Sequence, residues 1–170
     1  MKQGVGMSNS STYRLWVMRH GEAGPGRPDE QRRLTLQGER EVEKMAEWLA
    51  AYVAAQAGSS PRLLASPYRR AQQTATRLGE ALSVPVETLP LITPDDAPEA
   101  VIEWLLTQTD KQLILVSHMP LVGELAAMLV EGHTARGIGF PTAGVAELTA
   151  PVWASGCAHL KRFVHPGQLR

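Results

Sequence analysis

Three short polar clusters carry residue types that can bind and transfer a phosphoryl group. Arg19-His20-Gly21 ends the apolar run Leu15-Trp16-Val17-Met18, Ser66 to Arg70 follows a second apolar run, and Ser117-His118 follows a third. An unprotonated histidine nitrogen is a competent phosphoryl acceptor, and neighbouring arginines disfavour the imidazolium form. The same guanidinium groups can bind the three phosphoryl oxygens as charge spreads over them in transfer. Arg69 and Arg70 stand at the expected start of a helix, where the macrodipole disfavours cations by about 0.3–1 kcal/mol. No acidic residue decorates that first turn, so a bound anion, phosphate best of all, is the compensating charge that the pattern calls for. Gly21 would remove a Cβ where backbone must approach the ligand.

These residues need elements that bring them together. Tyr13 to Met18 reads as a strand, followed by a Gly/Pro/charge-rich loop from Gly21 to Arg33. Val42, Met45, Ala46, Leu49 and Val53 mark one face of a helix from Leu36 to Gln56, with Thr35 as N-cap and Gly58 as stop. Arg62 to Ser66 reads as a strand, and Ala71, Ala75, Leu78 and Leu82 trace a helix that ends before Pro85. Val86 to Leu89 is a short strand. Ala97 to Thr107 is a helix with Val101, Ile102, Leu105 and Leu106 inward.

The run "QLILVS" at 112–117 has the continuous apolar character of a strand buried on both faces, and Pro120 suits the first turn of a helix reaching Val130. Val145 to Thr149 and His159 to Val164 are further strands. The alternation predicts an α/β fold, a three-layer α/β/α sandwich with a mostly parallel central sheet. In such sheets ligands sit beyond the carboxyl ends of the strands, where all three polar clusters fall.

Seventeen basic residues balance seventeen acidic ones. Binding to nucleic acid or to a membrane surface needs a positive field that this balance does not supply, so an anion site must be local. No run approaches the length of a membrane span, and the Gly/Ser/Asn-rich residues 1–12 read as a flexible leader before one domain at 13–170. The single cysteine excludes an intramolecular disulfide, and a cytoplasmic location fits best. His133, His159 and His165 show no metal-ligand spacing, so no metal and no cofactor are expected.

With Arg19-His20-Gly21, "LTLQG" at 34–38, "SPYRRAQQT" at 66–74 and "LVSHMPLVG" at 115–123, the sequence resembles the histidine phosphatase superfamily, or phosphoglycerate mutase-like family. The short length and "SHMPLVG" are most similar to its phosphohistidine phosphatase, SixA-like branch. The resemblance covers about Tyr13 to Val164. It implies a metal-independent hydrolase in which His20 is phosphorylated, Arg19, Arg70 and His118 complete the phosphate pocket, and Arg33 is a further contact.

Many members carry a carboxylic general acid beyond the third strand. Asp95, Asp96 and Glu99 lie nearest to that region and Glu22 follows the triplet, but each equally suits a helix start or the surface. Imidazole, with an ordinary pKa of about 6.5, leaves far more easily than an alkoxide, which favours protein phosphohistidine as substrate. The alternatives are a small-molecule phosphomonoesterase, acting on a small phosphate ester, and a non-catalytic phosphoprotein-binding module.

Overall fold

The apolar run near the chain start forms the middle of a sheet. In the computed structural model, which describes residues 12–169, β1 (Tyr13–Arg19) lies between β4 (Gln112–Ser117), parallel to it, and β5 (Val145–Ala150), antiparallel to it. β2 (Arg62–Ala65) pairs parallel with β4 and with β3 (Val86–Thr88), and β6 (His159–Val164) closes the far edge antiparallel to β5. The order β3-β2-β4-β1-β5-β6 is thus a parallel four-strand block with an antiparallel pair on one side. The leader expected at 1–12 lies, Thr12 aside, outside the described residues.

Side chains of a strand alternate between faces. Leu15 and Val17 of β1 join Leu113 and Leu115 in a core under α3 (Pro98–Leu105) and α4 (Leu121–Glu131). Trp16 and Met18 join Leu63, Ala65, Ile114 and Val116 under α1 (Leu36–Ala54) and α2 (Arg69–Leu82). Because both faces are covered, the central strands show no polar alternation, and each fully buried Leu or Val contributes about 1.5–3 kcal/mol.

The helices start and stop for local reasons. The Thr35 hydroxyl accepts the Gly38 N–H and caps α1, whose face Val42, Met45, Ala46 and Leu49 is buried at helical spacing. α2 ends at Ser83 in the left-handed region, φ 59°. α4 ends at Gly132, φ 86°, where a glycine carries no Cβ penalty. Pro120 is the N-cap of α4 rather than a member of its first turn. Leu106, expected inward, is 50% exposed, because it caps α3 beyond the turns that pack on the sheet. Among the described residues no helix is long and apolar enough to cross a membrane.

One charge is buried in this frame. Glu147 of β5 is fully buried and accepts from the Tyr52 hydroxyl at 2.9 Å, with Arg14 at 3.1 Å and Arg162 at 3.4 Å. Two cations and a hydroxyl offset the cost of removing the carboxylate from water.

Candidate active site

Strand order places the polar clusters side by side. β2, β4 and β1 are consecutive neighbours, so the residues leaving their carboxyl ends share one rim. Backbone bonds fix the spacing: His20 N–H donates to the Ser117 carbonyl and Ser66 N–H to the Val116 carbonyl, each at 3.0 Å. Ser117 Oγ donates to the Ile92 carbonyl at 2.7 Å and pins the loop before α3 to the same rim.

His20 is 7% exposed, and its tautomer follows from its partners. Nδ1 lies 2.7 Å from the Gly21 carbonyl, which can only accept, so Nδ1 carries the hydrogen. Nε2 lies 3.2 Å from Arg70 Nε, which can only donate, so Nε2 holds a bare lone pair. Burial lowers the His20 pKa to about 4, and Arg70, Arg19 and Arg32 push the same way against the opposing bond to Gly21. Near neutral pH the ring is an uncharged nucleophile whose free nitrogen is Nε2.

The groups around it are hydrogen-bond donors. Arg19 leaves the end of β1, donates Nη1 to the Phe140 carbonyl at 2.8 Å, and keeps Nε buried with no partner among the described residues. Burial first, and Arg70 second, lower its pKa. His118 is 1% exposed, with its ring centroid 5.0 Å from that of His20. Its Nε2 meets Ser66 Oγ at 2.7 Å, and that hydroxyl already accepts the Tyr68 N–H at 3.2 Å.

No other acceptor among the described residues takes the Ser66 proton, so it goes to His118 Nε2, and His118 carries its own hydrogen on Nδ1. That Nδ1 is likewise buried without a partner among the described residues. Burial and then His20 lower the His118 pKa to about 3. Unpaired buried donors each cost about 1–3 kcal/mol, and an anion held beside His20 would supply the acceptors.

Arg70 opens α2 and is 5% exposed. The negative charge that the sequence argument assigned to a bound anion is supplied in part by the protein itself. Asp29, in a short 3₁₀ turn at Asp29–Gln31 inside the long loop, sets its carboxylate 3.2 Å from Arg70 Nη2. Periodicity carried no sign of that turn, because three residues complete no repeat. Arg32, rather than Arg33, acts electrostatically on His20, and it bonds Asp29 at 3.0 Å and the Gly24 carbonyl at 2.8 Å. Arg33 is exposed.

The candidate acids are engaged or outlying. Glu22 accepts from the Thr35 hydroxyl at 2.6 Å and serves the α1 cap. Asp96 accepts from Thr93 N and Oγ1, at 2.8 and 2.7 Å, in a turn before α3. Asp95 and Glu99 are exposed. Among the described residues none of these four bonds His20, Arg19, Arg70 or His118.

Gly21 departs from its expected reason. A Cβ there would meet Val42 Cγ2 of α1 at 2.5 Å and the Gly38 carbonyl at 3.1 Å, so it is helix packing against the strand end that requires glycine. Its N–H donates to Thr74 Oγ1 at 3.1 Å, and that hydroxyl donates to the Arg70 carbonyl at 2.8 Å, tying the His20 loop to α2. Among the described residues no group of three His, Cys, Asp or Glu side chains is placed to hold a metal ion.

Comparison with known proteins agrees with this geometry. The model of the histidine phosphatase superfamily (branch 1) matches residues 15–93, which carry most of β1 and all of α1, β2, α2 and β3. Phosphohistidine phosphatase SixA of Escherichia coli K12 is 36% identical over 79% of this chain and 84% of its own length. The SixA homolog of Haemophilus influenzae is 35% identical over 68% and 76% respectively. The solved structure of the protein histidine phosphatase SixA complexed with tungstate superposes with a TM-score of 0.78 at 31% identity, covering 91% of this chain and 98% of that one. Sharing both sequence and fold with these relatives over most of its length, the chain belongs to the histidine phosphatase superfamily, in its SixA-like branch.

Proposed function

We propose that this protein is a phosphohistidine phosphatase, a hydrolase that removes phosphate from histidine on a partner protein. The observation that carries the reading is the unprotonated Nε2 of a neutral, buried His20, which accepts from Arg70 Nε, with buried unpartnered nitrogens on Arg19 and His118 among the described residues. In the first step the Nε2 lone pair attacks phosphorus, the P–N bond to the substrate imidazole breaks, and the departing nitrogen takes a proton from solvent. Arg19, Arg70 and the His118 Nδ1–H bind the phosphoryl oxygens as negative charge spreads over them.

The Nδ1–H of His20, held by the Gly21 carbonyl, stabilises the positive charge that the ring acquires on phosphorylation. In the second step water attacks the phosphorus, the bond to Nε2 breaks, and inorganic phosphate leaves with His20 restored. An imidazole leaving group needs little help from an acid, which suits a site where Asp29 is paired with Arg70, Glu22 accepts from Thr35 and Asp96 accepts from Thr93. A relative complexed with tungstate, a tetrahedral oxyanion, supports anion binding of this kind. A cytoplasmic setting and a phosphorylated protein as partner follow from the same reading.

The test is phosphate release from a phosphohistidine-bearing protein domain and from a sugar phosphate, with wild type and His20→Ala side by side. Release from the phosphohistidine domain alone, lost in the variant together with the phosphoenzyme, is expected. Equal or faster release from the sugar phosphate would overturn the substrate reading. A phosphoenzyme formed in full yield by His20→Ala would remove His20 from the mechanism.

A further inference from the structure

The contact between Asp29 and Arg70 is shaped by the geometry of the guanidinium. Its two N–H forks point in different directions. Nη1 and Nη2 form the end fork, while Nε and Nη2 form the side fork, on the edge away from Cδ. Asp29 takes the end fork: Oδ1 lies 3.4 Å from Nη1 and Oδ2 3.2 Å from Nη2, and the Asp29 backbone carbonyl accepts from Nη1 at 2.8 Å. The side fork is directed at the reacting nitrogen, with Nε 3.2 Å from His20 Nε2.

From this division of the two forks we infer that Asp29 is a positioning residue, which holds Arg70 by its end fork so that its side fork faces the phosphoryl group on His20. The inference rests on the reading of His20 as phosphoryl acceptor.

Two other roles would leave different marks. A surface ion pair would join two exposed side chains, but the Arg70 side chain is 6% exposed against 51% for Asp29. A pair of that kind is held by flexible ends, whereas here a backbone carbonyl shares the grip. An occluding carboxylate, competing with phosphate for Arg70, would lie on the side fork next to Nε2, and Asp29 lies on the other. The carboxylate is itself braced by Arg32, which bonds Asp29 Oδ1 at 3.0 Å and the Gly24 carbonyl at 2.8 Å. The Tyr68 ring, with the guanidinium carbon 5.1 Å from its centroid, gives Arg70 a further contact. Arg70 is therefore fixed from several directions with one edge left for chemistry.

The measurement uses the full chain as wild type, Asp29→Ala and Asp29→Asn. Calorimetry gives the affinity for inorganic phosphate, steady-state kinetics on the phosphohistidine domain give kcat and KM, and a melting curve shows that each variant is folded. A misaligned group costs up to about 100-fold in rate, so Asp29→Ala is expected to lose on the order of 10- to 100-fold in both phosphate affinity and kcat/KM. Asp29→Asn, whose amide oxygen and backbone carbonyl still accept, recovers part of the loss.

A competitor or a simple charge neutraliser predicts the opposite sign, because removing the carboxylate leaves more positive charge for phosphate. Tighter or unchanged phosphate binding in folded Asp29→Ala overturns the inference. If that variant does not fold, wild-type values in Asp29→Asn overturn it as well. A wild type that releases no phosphate from the domain overturns the phosphatase reading, and the calorimetry still decides the role of Asp29.

Discussion

Lowering the pH should destabilise this protein through two buried histidines, by an amount set by the site itself. Burial takes the His20 pKa from 6.5 to about 4 and the His118 pKa from 6.5 to about 3. The unfolded chain binds protons at both rings as pH falls through 6.5, while the folded chain keeps them neutral. Stability is therefore lost below about pH 6.5, at about 1.4 kcal/mol per pH unit for each ring, until the folded values are reached; above it neither ring contributes. At about pH 5 each ring has cost about 2 kcal/mol, about 4 kcal/mol for the pair, a large part of the 5–15 kcal/mol typical of a domain.

The assay is urea unfolding in phosphate-free buffer at about pH 7 and about pH 5 for wild type, His20→Gln and His118→Gln. Each variant should lose about 2 kcal/mol of the pH dependence, since its glutamine does not titrate. Imidazole nitrogen NMR on the wild type follows the same protons and should show His20 with hydrogen on Nδ1 and none on Nε2 down to about pH 5. A His20 that titrates near 6.5, a ring protonated on Nε2, or variants with the wild-type pH dependence would each refute the reasoning.

Two further predictions concern residues that support the site. Ser66→Ala removes the hydroxyl that gives its proton to His118 Nε2, so the Nδ1 donor is no longer enforced; phosphate affinity by calorimetry should fall about tenfold, the equivalent of one hydrogen bond, and unchanged affinity in a stable variant would reject the tautomer assignment. Gly21→Ala sets a Cβ 2.5 Å from Val42 Cγ2 and should cost about 1–3 kcal/mol in thermal denaturation, with Val42→Ala in the same chain restoring part of it. Independent effects of the two changes would return Gly21 to the ligand-approach role that its motif suggests.

The legible parts of the molecule are those whose reasons are local. "QLILVS" announces a strand covered on both faces because every side chain in it is apolar, and Thr35 announces a helix start because its hydroxyl meets the N–H three residues on. Leu106 misled for the converse reason: its place in the repeat points inward, but the helix ends beside it. Asp29 carried no local sign at all. It lies in a loop rich in charge, and its partner is 41 residues away on another element. The Phe140 carbonyl that receives Arg19 is a backbone group, and no residue type signals where such a group will point.

The sequence by itself therefore determined the alternation of elements, the three strand ends followed by Arg19, His20, Ser66, Arg70 and His118, and the balance of basic and acidic residues. Only the tertiary structure decided that β2, β4 and β1 lie next to one another, so that these ends meet, and which nitrogen of each histidine is bare. Strand order is set by the packing of four helices on two faces, and tautomers are set by partners 1 and 52 residues away along the chain. Strand order and the His118 tautomer depend on groups that become neighbours only once the chain has folded, and the His20 tautomer on how the fold turns the adjacent Gly21 carbonyl toward the ring.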